Sequence, residues 1–235
     1  MTKKTILACF AHPDDELGCI GTLANHAKNG DSVVIAWTTS GEMASFFEGM
    51  SFDEVKEIRE KQGREIGKII GSNVETIFLG YGDTEVIPTR ENAIKMAKII
   101  AKIKPDAVIS WGFNNRHPDH RGTVQLLYDA MTYARIPRIT NPDPPHRPPF
   151  HIPMFLYYEK ISPLRTVYVD ISETYPQVEK AFKLYADFYG WSVKDWIHVR
   201  RRTDGMDCGV KFAEKFNVFS RYEPYSSLLP INNDE

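Results

Sequence analysis

Three apolar runs, at residues 5–10, 32–37 and 107–111, constrain the fold most. The first, Thr5-Ile6-Leu7-Ala8-Cys9-Phe10, has the length and all-apolar character of a strand buried on both faces. A helical pattern beginning at Leu17-Gly18-Cys19-Ile20 follows it. Strands of this kind alternating with helices predict βαβ units, hence a parallel sheet covered on both sides. The predicted class is α/β: a Rossmann-like, mostly parallel sheet with helices on both faces and a C-terminal α+β extension. Further strands are predicted at 75–80, 154–158 and 166–170. Helices are predicted at 53–70, 91–104, about 119–134 and 173–189, with another from near Trp191.

The first strand ends in Ala11-His12-Pro13-Asp14-Asp15-Glu16. The carboxyl end of a strand in an open α/β sheet is where ligands bind. A dinucleotide-binding chain carries a glycine-rich turn there. Three carboxylates would instead repel a pyrophosphate, and they suit a cation. After the fourth strand comes His117-Pro118-Asp119-His120. Pro118 suits the first helical position, which makes His117 the N-cap and puts His117 and His120 on one helix face. His12, Asp15 and His120 can supply two nitrogens and one oxygen with a fourth position open, a catalytic zinc pattern. Taken singly, each motif also reads as a capping aspartate or a surface histidine.

The two motifs, in this order and at this separation, resemble the signatures of the PIG-L/LmbE family, zinc-dependent deacetylases of N-acetylglucosamine-type groups. The resemblance also takes in Thr39-Ser40-Gly41-Glu42, Arg59, Asp83 and Phe212-Ala213-Glu214-Lys215-Phe216. It departs after the double Asp, where family members often carry one more residue before the glycine stretch, and at Ile20-Gly21, where they often have Gly-Gly. The resemblance implies Zn²⁺ on His12, Asp15 and His120, with Asp14 left beside the metal as general base. His117, if charged, would stabilise the oxyanion, and Asp119 would orient His117 and favour that charge. Arg59 and Asp83 match positions that contact the sugar. The implied partner is a small N-acetyl sugar or sugar conjugate, and the implied assembly is a homo-oligomer.

Two other classes use similar residues. Two histidines and a carboxylate also form the facial triad of non-haem iron oxygenases, but iron has no use for an extra base such as Asp14. A non-catalytic sugar- or nucleotide-binding module would not need both metal ligands and a base. Over 235 residues the net charge is −2, so neither nucleic acid nor an anionic membrane is expected as a partner. Cys9, Cys19 and Cys208 are widely spaced, which indicates neither a disulfide framework nor a cysteine zinc site. A soluble, cytoplasmic, single domain over residues 1–235 is expected. The proline-rich stretch 137–153 is expected to be neither helix nor central strand, and to serve as a stiff connection, a rim of the site or an oligomer contact.

Overall fold

A computed structural model describes residues 3–141, 147–149, 152–157, 164–192 and 196–219. One seven-stranded sheet runs through it, in the order β3-β2-β1-β4-β5-β7-β6. The strands are β1 (Thr5–Phe10), β2 (Ser32–Trp37), β3 (Val74–Phe78), β4 (Ala107–Trp111), β5 (Met154–Tyr157), β6 (Arg165–Asp170) and β7 (Ala213–Phe219). From β3 to β5 every pairing is parallel, whereas β7 runs antiparallel to both β5 and β6. The C-terminal α+β part therefore continues the same sheet at its β5 edge.

The apolar runs form strands because both of their faces are covered. In β1, Ile6, Ala8 and Phe10 join a core with Leu23 of α1 (Ile20–Lys28), Ile66 of α2 (Phe52–Ile70) and Phe182 of α6 (Tyr175–Tyr189). Leu7 and Cys9 point the other way, to Ile100 of α3 (Arg90–Ile103) and Leu127 of α4 (Pro118–Ala134). This is the two-residue alternation of a pleated strand, with both sides apolar. β1 lies between β2 and β4, so the strand order reverses across it. Its carboxyl end is thus a topological switch point, the natural crevice of such a sheet.

Local chemistry sets the helix starts. Ser51 and Glu54 form a reciprocal capping box on α2. His117 caps α4 through its side chain, with Pro118 at the first turn, as the sequence predicts. Several expectations need correction. A 3-10 turn, Asp15–Gly18, precedes α1, so the helix begins later than Leu17. Residues 137–140, expected to be non-helical, form the single turn α5 (Pro137–Thr140), because proline is tolerated at a first helical position. α7 spans Ile197–Cys208, so Trp191 itself lies outside it. Tyr158 and prolines 142, 144 and 145 lie outside the described residues. Among the described residues no helix is long and apolar enough to cross a membrane.

Candidate active site

The loops after β1 to β4 converge at the switch point. Asp15 is fixed by its own loop: Ala11 and His12 donate backbone N–H bonds to its Oδ2, at 3.1 and 2.9 Å. Its Oδ1 lies 3.2 Å from His120 Nε2. His12 Nδ1 lies 3.3 Å from His120 Nε2 and 3.6 Å from Asp15 Oδ2. Ligands about 2.0–2.1 Å from a common tetrahedral centre stand about 3.4 Å apart.

The far side of each imidazole decides which atom faces this point. His12 Nε2 sits 3.1 Å from Asp83 Oδ1 and 3.2 Å from Asp119 Oδ2, so the ring hydrogen belongs there. His120 Nδ1 sits 3.0 Å from Asn115 Oδ1, which takes that ring's hydrogen. Both histidines then turn lone pairs toward one another and toward a carboxylate. A cation resolves that arrangement, and the carbonyl or carboxylate behind each ring is the usual support of a metal-bound histidine. His117 adds a third imidazole, with nitrogens of the three rings within 4.8 Å. Asp83, Asp119 and His12 form a second such group, all three buried. Burial opposes a charge on His12, but bonds to Asp119, Asp15 and Asp83 hold its pKa well above the ordinary imidazole value.

Asp14 stands apart from its neighbour. Its backbone is left-handed, φ 112°, an uncommon conformation for a residue with a Cβ. Its Oδ2 accepts from both terminal nitrogens of Arg59, at 3.2 and 3.3 Å. Burial pushes the Asp14 carboxyl above its usual range, and Arg59 offsets only part of that. Asp15 is also buried, yet His120 and His12 hold it well below the usual range.

Behind Asp14, Glu16 is fully buried and accepts from Asp14 N–H at 2.9 Å, Trp37 Nε1 at 2.9 Å and Tyr185 OH at 2.7 Å. Burial pushes the Glu16 carboxyl up to about 7, against the lowering effect of the Tyr185 bond. Glu214 of β7 accepts from Gly21 and Thr22 N–H, capping α1 with a negative charge. Arg201 of α7 donates to Leu17 O at 2.8 Å and lies 3.7 Å from Glu214. The Phe212–Phe216 stretch thus holds the start of α1, the helix that follows the first motif.

Two sequence expectations, on Asp119 and on His117, change here. The Asp119 carboxylate turns to His12, held by Thr84 and Val86 N–H, and not to His117. Only the Asp119 backbone N–H meets His117, at Nδ1. Burial, followed by His12 and His120, lowers the His117 pKa, which works against a charged ring. Arg59 and Asp83, which the resemblance places at a sugar, reach Asp14 and His12, and Arg59 is 2% exposed. A cleft of about 420 Å³ opens beside Asp14, Asp15 and His120, walled by Trp111, Tyr157 and Trp196. Trp111 stacks on His120 with ring centroids 4.5 Å apart. The sequence marks Glu16 only as one of three carboxylates suited to a cation and marks no role for Tyr185, Asn115 or these aromatics, because only tertiary structure brings them together.

A family model described as GlcNAc-PI de-N-acetylase (PIG-L) matches residues 7–131, which include both motifs. The chain is 31% identical over 145 residues to a diacetylchitobiose deacetylase of Thermococcus kodakarensis, covering 60% of this chain and 54% of that enzyme. It thus spans about half the length of that relative. It is 25% identical over 223 residues to a probable N-acetyl-alpha-D-glucosaminyl L-malate deacetylase 2 of Bacillus anthracis, covering 91% of this chain and 93% of that protein. The solved structure of N,N'-diacetylchitobiose deacetylase from Pyrococcus horikoshii superposes with a TM-score of 0.78 at 27% identity, covering 92% of this chain and 84% of that one.

Proposed function

The chain belongs to the PIG-L family, and from that premise we propose that it is a zinc-dependent hydrolase that removes an acetyl group from an N-acetylglucosamine-type substrate. The observation that carries this reading is the convergence of His12, Asp15 and His120 within 3.2–3.6 Å of one another, with Asp14 beside them. These three residues would hold the metal. When bound, a divalent metal supplies Lewis acidity, making water a stronger acid and polarising a carbonyl.

The chain's own residues supply the rest. Asp14 takes a proton from the attacking water as its oxygen bonds to the acetyl carbon. It returns that proton to the amine nitrogen as the C–N bond breaks, giving acetate and a free amine. A carboxyl pushed above its ordinary range by burial is a stronger base than a free one. His117 stabilises the carbonyl oxygen as negative charge develops on it. Its Nδ1 is taken by the Asp119 N–H, so a neutral ring carries its hydrogen on Nε2 and can donate without being charged. Asp83 and Asp119 orient His12, and Arg59 orients Asp14. The aromatic cleft holds the sugar or its aglycone.

The test is acetate release from a panel of N-acetyl sugars by protein of defined metal content. Chelation should abolish turnover, and zinc or cobalt should restore it. Full activity in metal-free protein would sink the reading, and oxygen-dependent turnover would favour an iron site instead. The cytoplasmic location and homo-oligomeric state expected of such an enzyme stay with this proposal; light scattering on the purified protein reads the second.

A further inference from the structure

Asp14 is gripped at two points by side chains that reach back to a single helix in the second half of the chain. Its carboxylate takes Arg59, whose guanidinium lies over the Tyr189 ring at 5.5 Å. Its backbone N–H takes Glu16 Oε2, and Glu16 Oε1 takes the Tyr185 hydroxyl. Tyr185 and Tyr189 stack on one another on α6, with ring planes 7° apart. Both lie beyond the 7–131 stretch that the family model matches.

Granting the role of Asp14 set out above, we propose that Glu16, locked by Tyr185, is a positioning residue that holds Asp14 in its left-handed conformation and so aims its carboxylate at the reacting water. The physical case rests on the backbone. A residue with a Cβ at φ 112° keeps that conformation only where its surroundings over-determine it. The Asp14 N–H meets a fully buried carboxylate at 2.9 Å. That carboxylate has no freedom to turn away, since Trp37 Nε1 holds the same oxygen and Tyr185 the other. What the site needs from residue 16 is an acceptor, not a charge. A glutamine can keep its oxygen on Asp14 and Trp37 and turn its NH₂ toward the Tyr185 oxygen.

The test compares Glu16→Met, Glu16→Gln and Tyr185→Phe in the zinc-loaded enzyme. Glu16→Met removes the acceptor at similar size. Its kcat should fall by about 10–100-fold, the scale of a slightly misplaced catalytic group, with KM and metal content unchanged. Glu16→Gln should recover most of the rate. Tyr185→Phe, which keeps the ring stack, should lose a smaller part and carries the test if Glu16→Met does not fold. Added to Asp14→Asn, Glu16→Met should cost nothing more, because the two act as one unit.

Hydrogen exchange at the Asp14 amide gives a readout independent of turnover: slow in the parent, faster in Glu16→Met. An unchanged Asp14 amide and unchanged kcat in Glu16→Met and Tyr185→Phe would overturn the inference. So would equal losses of rate, KM and metal in Glu16→Met and Glu16→Gln. A parent that releases no acetate from any N-acetyl sugar would remove the proposed function but leave the amide measurement standing as the test of the hold on Asp14.

Discussion

Asp14 and Asp15 carry the same side chain in opposite surroundings, one beside an arginine on a strained backbone, the other folded onto its own loop between two imidazoles. Substitution should separate them. Asp14→Asn keeps the shape and tolerates a left-handed backbone, so metal content should hold while kcat falls by roughly 10²–10⁴, the usual worth of a general base. Asp15→Ala removes a ligand, and its metal content should fall with its activity. Atomic absorption and kcat on both variants, with and without added zinc, decide the matter; a metal-free Asp14→Asn would reverse the roles. That the two motifs meet was legible from residue types placed at the ends of strands. The targets of Asp119, Arg59 and Asp83 were not. Sequence adjacency pointed Asp119 at His117, but Thr84 and Val86 N–H from another loop swing its carboxylate to His12.

At the scale of elements, the turn between α1 and β2 is pinned by Asp31. Its carboxylate accepts from His26 Nδ1 at 2.7 Å and from Lys4 N–H at 3.0 Å, tying the turn to the start of β1. Burial alone would raise the Asp31 pKa, but His26 and Lys4 hold it below the usual value. A carboxylate with a depressed folded pKa contributes stability above its unfolded pKa and loses it as pH falls through the folded one. Asp31→Asn should therefore cost about 2 kcal/mol near neutral pH, and the gap to the parent should narrow below about pH 4. Urea unfolding at pH 7 and pH 3 measures both, and a gap that widens in acid would refute it. Gly122 marks another contact. A Cβ there would clash with Val86 O, and Val86 N–H supports Asp119. Gly122→Ala should destabilise by about 1–3 kcal/mol and weaken metal binding, read by denaturation and a zinc titration. The apolar strands and amphipathic helices were legible because their periodicity is local. β7 was not read as a strand: its inward-facing Glu214 breaks the apolar alternation, and only Arg201 and the start of α1 explain a buried carboxylate there.

For the molecule as a whole, elements beyond residue 157 complete a site whose proposed ligands all lie at or before residue 120. Burial pushes the Glu214 carboxyl up while Arg201 pulls it down, so the pair depends on both members. Arg201→Met strands a buried charge and should cost about 3–5 kcal/mol, whereas Arg201→Met with Glu214→Gln should recover much of it. Thermal unfolding of the two proteins makes the comparison; equal losses would show the charges do not act on one another. The placement of β7 has a consequence for synthesis. β5 gains its outer neighbour only when β7 exists, and Ala213 follows Tyr157 by 56 residues (213 − 157). At roughly 5–20 residues per second, β5 waits about 3–11 s on the ribosome with one edge bare. Glu214, which caps the helix behind the first motif, arrives in that same late strand. A nascent chain thus carries all the proposed metal ligands well before Glu214 exists to cap that helix, and β7 then joins β5 to β6.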